Sequence, residues 1–278
     1  MTRSVALVTG AGRGMGRACA DRFTSTADVL VLVDRDAPSL DAAADALAGS
    51  ACEVVAVALD VTDREQIGAL AERVAELGRL GPIAHAAGIS PTMADWRAIF
   101  QVDLVGTALL AEALTPLVTT GTAMVCFASS AAHLAAAAGD PPFDAVLDEP
   151  LHPELLTRLR AAAGESIEDP GVAYGWAKRG VQRLARRVAV SWGPQGGRIC
   201  SISPGLIDTP MGRQETAAHP VMTVLLEHTP LGREGTADEL AAVVEYLCSP
   251  AASFVTGCDL LVDGGMCAAM ETLGAAAV

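Results

Sequence analysis

Tyr174 and Lys178 stand four positions apart in Tyr174-Gly175-Trp176-Ala177-Lys178, which sets a phenol and an ammonium on one face of a helix. Such a pair can pass a proton to or from a substrate oxygen, although a surface tyrosine beside a solvated lysine has the same spacing. Far upstream, Thr9-Gly10-Ala11-Gly12-Arg13-Gly14-Met15-Gly16 follows the apolar run Val5-Ala6-Leu7-Val8 and opens a helical pattern. Glycines there let backbone N–H groups approach a pyrophosphate at the positive end of the helix. Asp34 ends the next apolar run, just over 20 residues past the turn, where a carboxylate accepts from adenosine ribose hydroxyls and repels a 2′-phosphate. NAD is therefore expected rather than NADP, with Arg13 and Arg35 partly offsetting the repulsion. An aspartate capping the turn before Pro38 would look the same. Asp60 and Val61 follow a third apolar run, and Ala86-Ala87-Gly88 a fourth; these positions suit a ligand crevice, but also a plain turn and a loop hinge.

Elements that could hold these residues alternate along the chain. Strands are expected near residues 5–9, 29–34, 54–58, 83–87, 123–129, 198–203 and 260–262. Helices are expected near 14–25, 39–47, 64–77, 94–117, 172–192 and 237–248, the last with a Thr236/Glu239 capping box. This is an α/β pattern: a doubly wound, seven-stranded parallel sheet with helices on both faces, residues 1–278 forming one domain. The order should reverse at Ala86-Ala87-Gly88. Two segments break the rhythm. Residues 131–170 read as an insertion, with Gly139-Asp140-Pro141-Pro142, an amphipathic set (Leu151, Leu155, Leu156, Leu159) and eight acidic residues against two arginines. Residues 205–235, punctuated by Pro210, Pro220 and Pro230 and carrying Val221, Met222, Val224, Leu225 and Leu226, read as a lid over an apolar substrate or as a surface helix on the core.

Composition narrows the class. A formal charge of −14 opposes a nucleic-acid partner. The seven cysteines show no C-x-x-C pair and read as buried free thiols in a reducing cytoplasm. No secretory leader is expected ahead of Val5, and no stretch is expected to reach the roughly 20 apolar residues of a membrane span. The five histidines lack metal-ligand spacing, so no metal is expected.

Taken in order, T-G-x-x-x-G-x-G, Asp34, Asp60-Val61, Ala86-Ala87-Gly88, Ser129-Ser130, Tyr174 with Lys178, Pro204-Gly205, Thr209 and Val262-Asp263-Gly264-Gly265 resemble the short-chain dehydrogenase/reductase family over nearly the whole chain. The resemblance implies an NAD-dependent oxidoreductase interconverting a secondary alcohol and a ketone. Tyr174 becomes the acid/base, and Lys178 lowers its pKa from the ordinary value of about 10 and binds the nicotinamide ribose. Ser130 matches the serine that holds the substrate oxygen, with Ser129 its near neighbour. Gly10, Arg13, Gly14, Met15, Gly16, Asp34, Asp60, Val61, Ala87 and Gly88 fall on the cofactor site, as do Pro204, Gly205, Ile207 and Thr209 beside the nicotinamide.

Two positions depart from the pattern. Asp103, in Val102-Asp103-Leu104-Val105-Gly106-Thr107, stands where the family carries an asparagine that holds a relay water; it either steadies Lys178 or weakens catalysis. The alternative function follows from it: an NAD-binding regulator or scaffold. Ala86 replaces another asparagine. The 44 positions from Ser130 to Tyr174 exceed the usual spacing, and the insertion resembles that of the bacterial 3-alpha-hydroxysteroid dehydrogenase/carbonyl reductase subset. That resemblance implies a homodimer through the last strand and its neighbouring helix, against the alternative of a homotetramer. With the apolar lid, it also implies a bulky apolar substrate such as a steroid or terpenoid.

Overall fold

The computed structural model describes residues 2–136 and 140–273, so Met1, 137–139 of the insertion and 274–278 lie outside the description. Strand β1 (Ser4–Thr9) sends Val5 and Leu7 to one face and Ala6 and Val8 to the other. Strand β2 (Val29–Asp34) alternates likewise, and both faces of each strand are buried. Only a sheet covered by helices on both sides accommodates that pattern. The sheet is completed by β3 (Glu53–Ala58), β4 (Arg79–His85), β5 (Ala123–Phe127), β6 (Arg198–Pro204) and, after the two-residue pair β7 (Ile207–Asp208) and β8 (Gly235–Thr236), by β9 (Asp259–Val262). Seven strands pair in parallel in the order β3-β2-β1-β4-β5-β6-β9. The order reverses between β1 and β4, at the expected place.

Helices α1 (Gly14–Phe23) and α2 (Ala37–Ala46) cover one face, and α3 (Arg64–Leu77) the other. The helix expected over 94–117 is not uniform. It comprises α4 (Trp96–Ile99), a π-helical segment (Phe100–Val105) and α5 (Gly106–Leu114), closed by a 3-10 turn. Against expectation, the 22 residues Trp96–Leu117 contain an 18-residue window of mean hydropathy 1.4, long and apolar enough to cross a membrane by length and composition. Their apolar surface is used inside the fold, where Leu109, Leu110 and Leu114 join the core beneath α3 and the long helix before β6.

The insertion forms α6 (Ser130–Ala136), α7 (Pro141–Leu147) and α8 (Leu155–Ala163), followed by α9 (Pro170–Trp192). Phe143, Val146, Leu147, Leu155 and Leu159 pack with Ile99, Phe100 and Leu104 in a third core, so the insertion's leucines are packing residues. Asp144 takes two hydrogen bonds of 2.6 Å from Arg179, and Asp148 takes bonds of 2.8 and 2.7 Å from Arg183. These forked pairs pin α7 to α9. The chain then runs through α10 (Pro210–Ala218), α11 (Val221–His228), α12 (Ala237–Cys248) and α13 (Met266–Leu273). Thr236 and Glu239 form the expected capping box on α12. All seven cysteines are free thiols, five of them buried.

Candidate active site

Helix α9 starts sharply because Asp169 accepts from the Val172 N–H at 3.0 Å and Pro170 occupies its first position. Tyr174 and Lys178 follow on one face, toward the end of β5. The Lys178 ammonium donates to the Phe127 carbonyl at 3.1 Å and lies 3.5 Å from Asp103 Oδ2. Asp103 is fully buried, and its Oδ1 accepts from the Ile89 N–H at 2.9 Å. The desolvated carboxyl is pushed above its usual pKa by burial, against the attraction of Lys178. Gly88 makes this arrangement fit: a Cβ there would sit 2.9 Å from Asp103 Oδ1 and 3.2 Å from the Lys178 nitrogen.

Behind Asp103 lies a dry relay of side chains. The Thr107 hydroxyl donates to the Asp103 carbonyl at 2.6 Å, so it accepts from His85 Nε2 at 3.0 Å, and His85 Nδ1 accepts from the Thr9 hydroxyl at 2.7 Å. Burial lowers the His85 pKa to about 3, so the ring is neutral. It ties together the ends of β1 and β4 and the start of α5.

Tyr174 departs from the expectation that Lys178 lowers its pKa. Burial pushes the phenol well above its ordinary value, and the charges of Asp103 and Glu215 push it further, while a hydrogen bond with Ser129 pulls the other way. Asp103, at 3.5 Å, offsets the lysine. β5 ends at Phe127, and Ser129 and Ser130 follow it, both buried: Ser129 Oγ accepts from the Ala131 N–H at 3.2 Å, and Ser130 is the first residue of α6, its carbonyl accepting from the Cys267 thiol.

A cleft runs from this group across the carboxyl ends of β1, β2 and β4. Its walls include Gly10, Arg13, Gly14, Met15, Gly16, Asp34, Asp60, Val61, Ala87, Gly88, Tyr174, Lys178 and Thr209. Asp34 is held by the Gly12 and Asp36 N–H groups, each at 3.0 Å. Asp60 both lines the cleft and closes a turn, accepting from the Thr62 N–H and hydroxyl at 2.8 Å. Gly16 has no freedom to change, since a Cβ would lie 2.1 Å from the Gly10 carbonyl oxygen. A dinucleotide fits on an independent ground. Helices α2, α3, α9 and α12 are capped by the side chains of Asp36, Asp63, Asp169 and Thr236, whereas α1, which opens into the cleft, has no side-chain cap on its N-terminus. Its first N–H groups remain for a phosphate.

Of the other expected cofactor residues, Pro204 ends β6 and Gly205 approaches Asp263 so closely that a Cβ would meet its backbone at 2.7 Å. Ile207 is buried in the core. These three shape the loop without lining the cleft, whereas Thr209 lines it and caps α10 through Gly212 N–H at 3.0 Å. Sequence reasoning missed Met93, Met211, Ser90 and Glu215. Met93 and Met211 line the cleft, Ser90 is a fully buried hydroxyl paired with Thr92 at 2.9 Å, and burial raises the pKa of the Glu215 carboxyl on α10; no spacing pattern in the sequence marks them. Helix α11 lies next to α13, and none of its residues is among those lining the cleft.

The short chain dehydrogenase family matches residues 4–145, and the family described as enoyl-(acyl carrier protein) reductase matches 156–267. Galactitol 2-dehydrogenase (L-tagatose-forming) of Cereibacter sphaeroides is 31% identical over 94% of this chain and 93% of its own length. Cis-4-hydroxycyclohexanecarboxylate dehydrogenase of Sinomonas cyclohexanicum is 31% identical over 94% and 95%. Among solved structures, a glucose/ribitol-type short-chain dehydrogenase/reductase from Brucella melitensis is similar with TM-score 0.73 and 29% identity, covering 95% of this chain and 96% of that one. The fold, cleft and relatives define a nicotinamide-dependent oxidoreductase acting on CH–OH groups. The chain belongs to the short-chain dehydrogenase/reductase family.

Proposed function

We propose that this chain is an NAD-dependent dehydrogenase interconverting a secondary alcohol and a ketone. The observation that carries this reading is the continuity of one cleft, from the Asp34 carboxylate at one end to Tyr174 and Lys178 at the other. Bound NAD supplies the hydride acceptor. Asp34 selects against a 2′-phosphate, the open N-terminus of α1 takes the pyrophosphate, and Lys178 faces the nicotinamide ribose. Ser130 holds the substrate oxygen, with Ser129 beside it, while Tyr174 gives or takes its proton. With its pKa raised, Tyr174 is a ready donor to a ketone at neutral pH and must lose its proton before it serves alcohol oxidation.

The steroid or terpenoid expectation rested on the apolar cluster now found on α11, off the cleft wall, so the substrate is proposed only as a secondary alcohol that fits between Met93 and Met211. The insertion, carrying α6, α7 and α8, is the feature on which kinship with the 3-alpha-hydroxysteroid dehydrogenase/carbonyl reductase subset is proposed. With α7 and α8 seated on α9, a homodimer through the β9 edge is favoured over a homotetramer. The seven free thiols support a cytoplasmic location. A second reading, an NAD-binding regulator with weakened catalysis, is favoured by Asp103, because its charge opposes Tyr174 ionisation.

The test is NADH formation across a panel of secondary alcohols, with NAD against NADP. Turnover with NAD that Tyr174→Phe abolishes supports the proposal. Full turnover in that variant sinks it, and tight NAD binding with no turnover moves the weight to the regulator.

A further inference from the structure

Two thiols meet near the edge of the sheet, away from the residues that line the cleft. Cys200 lies on β6, and Cys258 immediately precedes β9, where the pairing of Ser201 with Asp259 continues backwards. The Ser201 N–H donates to the Cys258 carbonyl at 3.0 Å, and the Gly257 N–H to the Ile199 carbonyl at 2.8 Å. Cys200 and Cys258 therefore stand opposite each other, and both side chains pack with the core beneath α1 and α12. Their sulfurs are 3.7 Å apart. Neighbouring strands hold their backbones about 4.8 Å apart, within the Cα separation of about 4.4–6.8 Å that a disulfide spans. The adjoining rungs are pinned as well, since Asp259 accepts from the Ser201 and Ser203 hydroxyls at 2.6 and 2.8 Å. Joining the two sulfurs thus needs side-chain rotation and no slip of either strand. Cys248 and Cys267 point elsewhere, the first to the Ile83 and Ala123 carbonyls and the second to that of Ser130.

We infer that Cys200 and Cys258 are an oxidisable dithiol, a modification site that a hydroperoxide closes to a disulfide and a thiol reductant reopens. Cys258 is partly exposed and Cys200 is buried. Burial first, and the neighbouring Cys258 after it, pushes the Cys200 thiol up to about 12. Cys258 is therefore the sulfur that meets the oxidant. Its thiolate attacks one peroxide oxygen: an S–O bond forms, the O–O bond breaks, and the departing hydroxide takes a proton and leaves as water. Cys200 then attacks the Cys258 sulfur and gives its proton to the departing oxygen, so the S–S bond forms as the S–O bond breaks and a second water leaves. The two thiols lose two electrons in all, and one hydrogen peroxide becomes two waters. The bond closes a loop between positions 58 apart and staples the strand at the sheet edge, β9, to β6.

The experiment treats the reduced wild-type protein, freed of reductant, with an equimolar amount of hydrogen peroxide and reads intact mass, non-reducing peptide maps and thiols titrated in denaturant. The expected product is lighter by two hydrogens, carries a cross-link between the Cys200 and Cys258 peptides, and shows the seven thiols of the chain reduced by that pair. A thiol reductant should restore all seven. The cross-linked form should melt about 5–10 °C above the reduced one, the size expected for closing a loop of this length. Cys258→Ser should show neither the cross-link nor the rise, and the wild-type maps carry the test even where that variant fails to fold. A pair that stays reduced, Cys258 driven to sulfinic acid beside a reduced Cys200, or a link from either residue to another cysteine or a second chain overturns the inference. So does a cross-linked form that melts lower than the reduced one, since the strands would then not be held at disulfide distance.

Discussion

Replacing Asp103 with asparagine removes one negative charge beside Lys178 and almost nothing else, because an amide oxygen can still accept from the Ile89 N–H. The Lys178 nitrogen lies 5.5 Å from the centre of the Tyr174 ring. At that separation a full positive charge favours the phenolate by about 3 kcal/mol with an effective dielectric of 20, or about two pH units of pKa. In the native site Asp103, 3.5 Å from the same nitrogen, offsets this pull, and the phenol is held high. Asp103→Asn should release the lysine and lower the Tyr174 pKa by about one to two units. In an assay of alcohol oxidation, the rising limb of kcat/KM against pH should move down by that amount, with about a tenfold gain near neutrality where phenolate is scarce. Ketone reduction, which draws on the protonated phenol, should gain nothing there. An oxidation limb that stays in place or moves upward would refute the reasoning and leave Asp103 as a positioning group for Ile89 alone.

Asp34→Asn should raise the ratio of kcat/KM with NADP to that with NAD by about tenfold or more, since a charge that repels the 2′-phosphate is gone; an unchanged ratio would place the choice of cofactor elsewhere. His85 stays neutral in the fold, with its pKa lowered from 6.5 to about 3. Its contribution to stability is therefore fully present above pH 6.5 and is lost as pH falls toward 3, at up to about 1.4 kcal/mol per pH unit. Urea denaturation should show the wild-type advantage over His85→Gln shrinking between pH 7 and 4.5, and an advantage constant with pH would contradict this. Asp144→Ala leaves the Arg179 and Arg183 guanidinium groups without their shared carboxylate at a half-buried junction and should lower unfolding free energy by about 2–3 kcal/mol, with hydrogen exchange accelerated in α7 and α8 before the sheet; uniform acceleration would mean the insertion does not open separately. Gly16→Ala should abolish cofactor binding by calorimetry, because its Cβ would meet the Gly10 carbonyl oxygen at 2.1 Å.

The sheet was legible because strands buried on both faces leave unbroken apolar runs, and the glycine turn because its geometry admits few other residues. The pair Tyr174 and Lys178 was legible because helical spacing alone places it. What the sequence hid depended on where an element stops. Ser129 and Ser130 stand together between β5 and α6, and no local pattern separates the two hydroxyls. The direction of the Tyr174 shift is not legible locally, because burial of the phenol sets it first and the charges of Asp103, on the π-helical segment, and Glu215, on α10, add to it. Val221 to Leu226 sit on α11, outside the residues that line the cleft, a placement no local pattern gives.

The wide turn at Phe100–Val105 ahead of α5 carries a consequence for how this segment can vary. A π turn holds one residue more than the α-helix would need over the same rise. Deleting that residue would regularise the backbone, yet it would rotate every later side chain by about 100° about the axis. Thr107 would leave His85, and the helix face carrying Leu109 and Leu110 would swing out of the core. Single-residue deletions here should therefore be far more damaging than substitutions at the same positions. The helix has given up local regularity so that one carboxylate is aimed at Lys178 while the next turns still meet the sheet, and its length is fixed at both ends by what it touches.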